Sequence, residues 1–342
     1  MISNKRMAVF ISAVVIFFSV LGFNLMSADA AVYQCKLASV EPEGRPKHAA
    51  QVWFTERVAE LTNNEVQITL YPGNQLGSSR ELVEAAQIGS IQGVGMPTSS
   101  MTGFAPNMAV FDLPFLFPSR DIGHKVIESE VGDAVLAVLE NHGLVGVSFY
   151  GSGWKQFTGN FRIEGPESFK GKKIRVMENP ILIAQFQALG ANAIPISFEE
   201  LYNALQQGVV DGQENPISTC VEMKIYEVQK YMARSDHAYL PSVFAFNKAW
   251  FHSLPKQHQE AIMQAGKEMD QRLREVIQEN ELKEYLPSMV EYGLEVVELS
   301  PEIRSQFAEI IQGPTRARFF ELADEDGKKL LEMVDAKIAE LK

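Results

Sequence analysis

The sequence predicts an α/β fold in two lobes, on three observations. Short strand-like runs alternate with longer helix-like runs. Gly, Pro, Asn and Asp clusters separate them. About 310 residues follow the leader-like first thirty, more than one hydrophobic core usually organises.

Residues 1–30 read as a secretory signal: Lys5 and Arg6, an apolar run from Met7 to Leu25, and the small-x-small site Ala28-Asp29-Ala30. Export to the periplasm with cleavage near Ala30 is expected. A retained anchor is the alternative, which Ser12, Ser19 and Asn24 weaken by interrupting the run. No later segment approaches membrane-spanning length, so a soluble mature chain is expected.

CKLASV (35–40) reads as a first strand, Pro46 to Leu61 as a helix, EVQITLY (65–71) as a second strand and Ser79 to Ile88 as a second helix. SIQGVGM (90–96) completes a doubly wound opening. Ligands in such sheets bind beyond the carboxyl ends of the strands, which makes the following turns, Thr98 included, candidate pocket walls. FDLPFLFP (111–118) reads as a buried connector, Asp121 to Asn141 as helix and GLVGVSFY (143–150) as a buried strand. GSGW then breaks the pattern, and a crossing into the second lobe is placed there.

The second lobe opens with KIRV (173–176) as a strand and 180–189 as a helix. SVFAFNKAW (242–250) alternates and returns to the first lobe, followed by a long helix from Lys256 to Tyr285. GLEVVEL (293–299) is a strand, Ser300-Pro301-Glu302 starts a helix, and the chain stays helical to Leu341 with a break at Gly313-Pro314. The expected division is 31–152 plus about 242–280 for lobe I, and 153–241 plus about 281–342 for lobe II.

The densest local signal is ELYNALQQGVVDGQENP (200–216). Ser197 and Glu200 have capping-box spacing, and Gly208 stands where a C′ glycine stops a helix. Val209 and Val210 begin a strand, Asp211-Gly212 turns the chain, and Asn215-Pro216 reads as an N-cap with proline at N1.

A formal charge of −12, from 31 basic and 43 acidic side chains, argues against nucleic acid as a partner. A net-negative protein that binds an anion must do so with a local cationic pocket. Two cysteines, Cys35 and Cys220, give no disulfide framework. Tyr33-Gln34 before Cys35 disfavours a lipidated N-terminus.

Together with KGKKIRVMENP (170–180), EGRPKHAA (43–50), YPGNQLGSSREL (71–82), VFDLPFLF (110–117) and GWKQFTGN (153–160), in this order, the 200–216 segment resembles the solute receptors of tripartite ATP-independent periplasmic (TRAP) transporters, the dicarboxylate-receptor-like (DctP) family. The resemblance covers nearly the whole mature chain. It implies a two-lobed, type II-like periplasmic-binding-protein fold with two mixed sheets flanked by helices and a long helix spanning both lobes. It also implies a monomer that hands an organic acid to TRAP membrane subunits, with no enzymatic activity, metal or cofactor.

The resemblance implies that Arg175, at the end of the KKIRV strand, clamps the ligand carboxylate, for which a guanidinium fork is the matched donor. Lys155 stands where many relatives carry a second arginine and is a candidate second cation. Asn215 offers an acceptor and two donors. Phe198 matches a family position whose ring lies against the ligand, and Trp154, Glu178, Thr98, Arg80 and Arg45 complete the candidate set. Asp211 and Glu214 read as structural hydrogen-bonding residues.

An enzyme acting on an organic acid, with Arg175 holding substrate and a histidine as base, is the competing class. The six scattered histidines, with no HExxH pair and no GxSxG elbow, give it little support. A sensory subunit presenting its ligand to a membrane receptor is a third reading. C4-dicarboxylates, keto or hydroxy acids, sugar acids and aromatic acids all satisfy the recognition residues.

Overall fold

The computed structural model describes residues 32–342, so the leader read at 1–30 lies outside the described residues. The first layer is β1 (Tyr33–Ser39), α1 (Pro46–Leu61), β2 (Val66–Tyr71), α2 (Ser79–Gln87) and β3 (Gly93–Pro97). After two 3₁₀ turns come α3 (Arg120–Ile127), α4 (Glu130–Ala137) and β4 (Leu144–Gly159). The chain continues through β5 (Lys173–Val176), α5 (Pro180–Ala188), β6 (Asn192–Pro195), α6 (Leu201–Gln206), β7 (Gly212–Pro216), α7 (Ile217–Glu222), β8 (Tyr231–Arg234) and β9 (Tyr239–Asn247). The rest is α8 (Lys248–Ser253), α9 (Lys256–Asn280), α10 (Leu286–Tyr292), β10 (Glu295–Glu298), α11 (Pro301–Leu322) and α12 (Glu325–Leu341).

Two mixed sheets share one strand. In the first, β2, β1 and β3 are parallel and β9 and β4 follow antiparallel. In the second, β4 pairs antiparallel with β7 and β8, β5 lies parallel between β7 and β6, and β10 runs parallel to β8. The expected strand break at GSGW is therefore corrected. β4 runs through it to Gly159, absorbing the misfit as a register shift between Gly151 and Trp154 with Gly153 at φ +108°. A bulge keeps the ladder going where a turn would have ended it.

From Lys256 to Tyr292 the chain never leaves helical conformation, about 55 Å at 1.5 Å per residue. Ile262, Ala265, Met269, Leu273 and Ile277 pack with the first sheet's Leu37, Val147 and Phe244, while Tyr285 and Met289 pack with Met232 of the second sheet and with Leu201 and Ile217 of its helices α6 and α7. The turn Glu281–Tyr285 is π-helical immediately before Pro287, whose ring and missing N–H an unbroken α ladder does not accommodate.

Three further expectations are corrected. α11 continues through Gly313-Pro314, because Phe307, Ile311, Thr315 and Phe319 form a buried stripe that packing holds in register. β9 is buried at every position rather than alternating, as a central strand covered on both faces must be. Helix α12 packs Leu331, Val334 and Ile338 in one cluster with Met108, Val126 and Val131, and Lys337 pairs with Glu130. The last helix therefore packs its apolar stripe on the first sheet's helices and on the end of α11, where Phe319 joins the same cluster and Arg316 pairs with Asp335 at 3.0 Å. Cys35 and Cys220 are free thiols, buried in β1 and α7.

Candidate functional site

The carboxyl ends of the parallel strands of both sheets converge on one cleft of about 500 Å³. Its walls come from the residues after β3 (Ser100, Phe104), after β5 (Met177, Glu178), after β6 (Ile196, Phe198), and from Ser79 and Arg80 at the start of α2. A narrow inner end shares Ser79, Ser100, Met177 and Phe198 with it and adds Glu41, Lys47, Asn215 and Thr219.

Arg175 lines this cleft from β5, 2 % exposed. Its Nε donates to the Ile196 carbonyl at 2.9 Å, which fixes the guanidinium plane, and it makes no ion pair with a carboxylate among the described residues. Burial lowers its pKa to about 10, against the raising fields of Glu214 and Glu199, so it is charged at neutral pH. It is a desolvated cation with an open fork.

Lys155 stands differently. It is wholly buried, its Nζ 2.7 Å from Glu214 Oε1, and it is absent from the walls of the cleft. Glu214 Oε2 contacts His237 Nε2 at 2.7 Å and accepts from Gln185 Nε2 at 2.6 Å. Burial opposes the charged form of Glu214, but the Lys155 ammonium and the His237 contact hold its pKa well below the usual carboxylate range. Asp112 of the first lobe feels the Lys155 charge but has hydrogen bonds of its own, accepting from Asn179 Nδ2 at 2.7 Å and Thr102 Oγ1 at 3.2 Å. The expected second ligand cation is thus an internal strut whose partner is Glu214.

The other candidates divide. Phe198, Glu178 and Arg80 line the cleft; Arg80 is mostly exposed, pairs with Glu84 at 3.1 Å and covers the Phe104 ring at 5.4 Å. Asn215 lines the inner end but caps no helix: it belongs to β7, opposite Gln156 of β4, and Pro216 takes the N-cap position of α7. Trp154 packs among Phe117, His124 and Tyr239 away from the cleft. Thr98 turns inward to the Pro241 carbonyl at 3.3 Å, and Arg45 lies outside the cleft walls, its charge felt by Glu222.

Sequence reasoning missed Lys47, Glu41, Thr219 and Glu222. Lys47 is 3 % exposed, 2.8 Å from Glu41 and 3.1 Å from Glu222, and donates to Thr219 Oγ1 at 3.3 Å. Burial disfavours its charge, but the two carboxylates hold its pKa above the ordinary lysine range. The signal was present: Lys47, Gln51, Phe54 and Val58 fall on one helical stripe, so the lysine sits on the buried face of α1.

A second groove of about 670 Å³ runs between α9 and α3, lined among others by His124, Glu128, Asp270 and Arg274. Its arginine is already paired, with Asp270 at 2.7 Å and with Glu128. The cleft, by contrast, holds the cation without a carboxylate.

Two sheets joined by a shared strand and a spanning helix, with a cleft at their facing strand ends, define a two-lobed α/β protein built around one central cleft. Residues 37–321 match the family described as bacterial extracellular solute-binding protein, family 7 (DctP), and the chain belongs to that family. It is 33% identical to the C4-dicarboxylate-binding periplasmic protein DctP of Rhodobacter capsulatus over 89% of this chain and 91% of that protein. A TRAP periplasmic solute-binding protein from Desulfovibrio salexigens with bound orotic acid superposes with a TM-score of 0.87 at 33% identity, covering 91% of this chain and 100% of that one. Another, from Sulfurospirillum deleyianum with bound succinate, has a TM-score of 0.81 at 32% identity, over 90% and 99% of the two chains. No helix among the described residues is long and apolar enough to cross a membrane.

Proposed function

We propose that this receptor captures a small organic acid by closing over its carboxylate at Arg175 and delivers it, as a monomer in the periplasm, to the membrane subunits of an ion-gradient-driven TRAP transporter. One observation carries the reading. Arg175 is a buried guanidinium, held by one carbonyl and by no carboxylate among the described residues. A buried charge without a counter-ion costs several kcal/mol, about 3–5 where a pair is broken, and a ligand carboxylate would offset it through two parallel charge-assisted bonds.

The relatives agree with an acid as ligand, since C4-dicarboxylates, orotate and succinate all carry the group that Arg175 would hold. Phe198 would lie against the body of the ligand, Glu178 would accept from its hydroxyls, and Arg80 would add positive potential at the mouth. Lobe I (31–152 and about 242–280) and lobe II (153–241 with about 281–322) would hinge about β4, and closure strengthens the Arg175 pair by excluding water. Hinge closure around a ligand is the general behaviour of periplasmic binding proteins as a class.

A thermal-shift screen of organic acids tests the capture, because selective binding stabilises only the folded state. For any hit, calorimetry should find binding abolished in Arg175→Ala and at least about 100-fold weaker in Arg175→Lys, since an ammonium has no fork. Near-normal affinity in the lysine variant would reject the clamp. Ligand recovered unaltered and in stoichiometric amount separates the receptor from the enzyme reading.

A further inference from the structure

We infer that the body of the acid is a flat, unsaturated ring held between Phe104 and Phe198, and that Phe104 sets this preference. The inference rests on Arg175 taking the carboxylate and deepens that reading by naming the class of acid.

The two phenylalanines reach the cleft from different cores. Phe104 packs against the cluster of Val94, Met96 and Met108, and Phe198 against that of Leu201, Ile217 and Met232. Each is half-buried and lines the cleft, so each is rooted in its own lobe and keeps part of its ring open to the cleft. Arg80 lies over the Phe104 ring at 5.4 Å while its Nε pairs with Glu84 at 3.1 Å, which ties that ring to α2. Phe198 stands two residues beyond Ile196, whose carbonyl fixes the Arg175 guanidinium. A carboxylate on the Arg175 fork thus brings the body of its acid up to Phe198, and closure brings Phe104 to it from the other lobe.

Met177, Pro180, Ile183 and Ile196 give the same wall an apolar stretch. Three of its polar side chains are already bonded within the protein, Ser78 to Glu81, Ser197 to Glu200 and Asn179 to Asp112. A sugar acid would find Glu178, Ser79 and Ser100 for some of its hydroxyls. The others would give up water against carbon, which is costly. A planar ring gives up no such bonds, and it gains offset or edge-on contacts with both phenylalanines beyond the area it buries. The polar inner end receives whatever substituent the ring carries.

Matched acids test this on the whole mature protein by thermal shift and calorimetry. Benzoate is set beside cyclohexanecarboxylate, 4-hydroxybenzoate beside trans-4-hydroxycyclohexanecarboxylate, and terephthalate beside trans-1,4-cyclohexanedicarboxylate, with glucuronate as the polar ring. Each pair shares its polar ends and differs in the flatness and unsaturation of the ring. The aromatic member should bind at least about fivefold more tightly in each pair that binds, and the best aromatic acid at least about tenfold more tightly than glucuronate. A saturated ring or glucuronate that binds as well or better overturns the inference, as does a panel in which no aromatic acid binds. Phe104→Leu keeps apolar packing and removes the ring, and Phe104→Met does the same with a more adaptable chain. In whichever variant folds, the aromatic preference should shrink by about threefold or more; an unchanged preference overturns the role of Phe104. Arg175→Ala separates the two levels. If saturated or sugar acids win but binding still needs Arg175, the ring preference alone falls; if aromatic acids bind equally well without Arg175, the clamp falls.

Discussion

Arg175 and Lys155 carry the same charge, both are buried, and both read as ligand contacts, yet one stands with an open fork and the other is bound to Glu214. A cation's role is set by what stands within about 3 Å of it, and that partner comes from a distant strand. Glu214→Gln should therefore cost about 3–5 kcal/mol in chemical denaturation, because it strands the Lys155 ammonium in the interior. Replacing both members, Lys155→Met with Glu214→Leu, should restore much of that loss, and a double variant no better than the single one would contradict the pairing. Lys47 teaches the converse. Its place on a buried helical stripe was legible, but its two carboxylate partners lie at residues 41 and 222 and only folding brings them together.

Local signals were sound where nothing competed with them. Ser300 caps its helix as its position predicts, Asn179 caps α5, and Gly208 at φ +69° closes a Schellman motif, its own N–H reaching Leu205 and that of Val209 reaching Ala204. The capping box at Ser197 and Glu200 does not form; their side chains bond each other at 3.0 Å and α6 starts at Leu201, three residues after the helix start that the box would set. The full box stands instead at Ser78 and Glu81. Likewise Asn215 lost its cap to the pairing of β7 with β4, since a ladder of several hydrogen bonds outweighs one cap. Close approach of elements gives a second test. A Cβ on Gly266 of α9 would fall on the Ser148 hydroxyl of β4, so Gly266→Ala should destabilise by about 1–3 kcal/mol in denaturant titration. A neutral or stabilising effect would mean that the spanning helix does not bear on the shared strand as described.

For the molecule as a whole, buried ionisable groups set the pH range of stability. Burial, reinforced by Arg274 and Arg120, lowers the pKa of His124 to about 4, and burial also lowers that of His237 despite the raising effect of Glu214. A histidine depressed in the fold is protonated first in the unfolded chain. Its contribution is present above the ordinary value near about 6.5 and is lost as pH falls toward the folded pKa. Glu222, raised to about 7 chiefly by burial, acts in the opposite sense, its contribution being lost as pH rises through that value. His124→Gln should therefore gain on the wild type in Tm as pH falls from 7 to 5. Parallel Tm curves for the two proteins would remove His124 from this account.

The sequence by itself determined the alternation of strands and helices, the doubly wound opening, the glycine and proline stops, and the arginine at the end of KIRV, because each depends on residues within a turn or two of one another. The tertiary structure alone decided that β4 serves both sheets, that α12 packs on the helices of the first of them, and that Lys155 is bound to Glu214 while Arg175 keeps an open fork. Those outcomes depend on desolvation and pairing between groups far apart in the chain, and a charge acquires its partner only when the chain has closed around it.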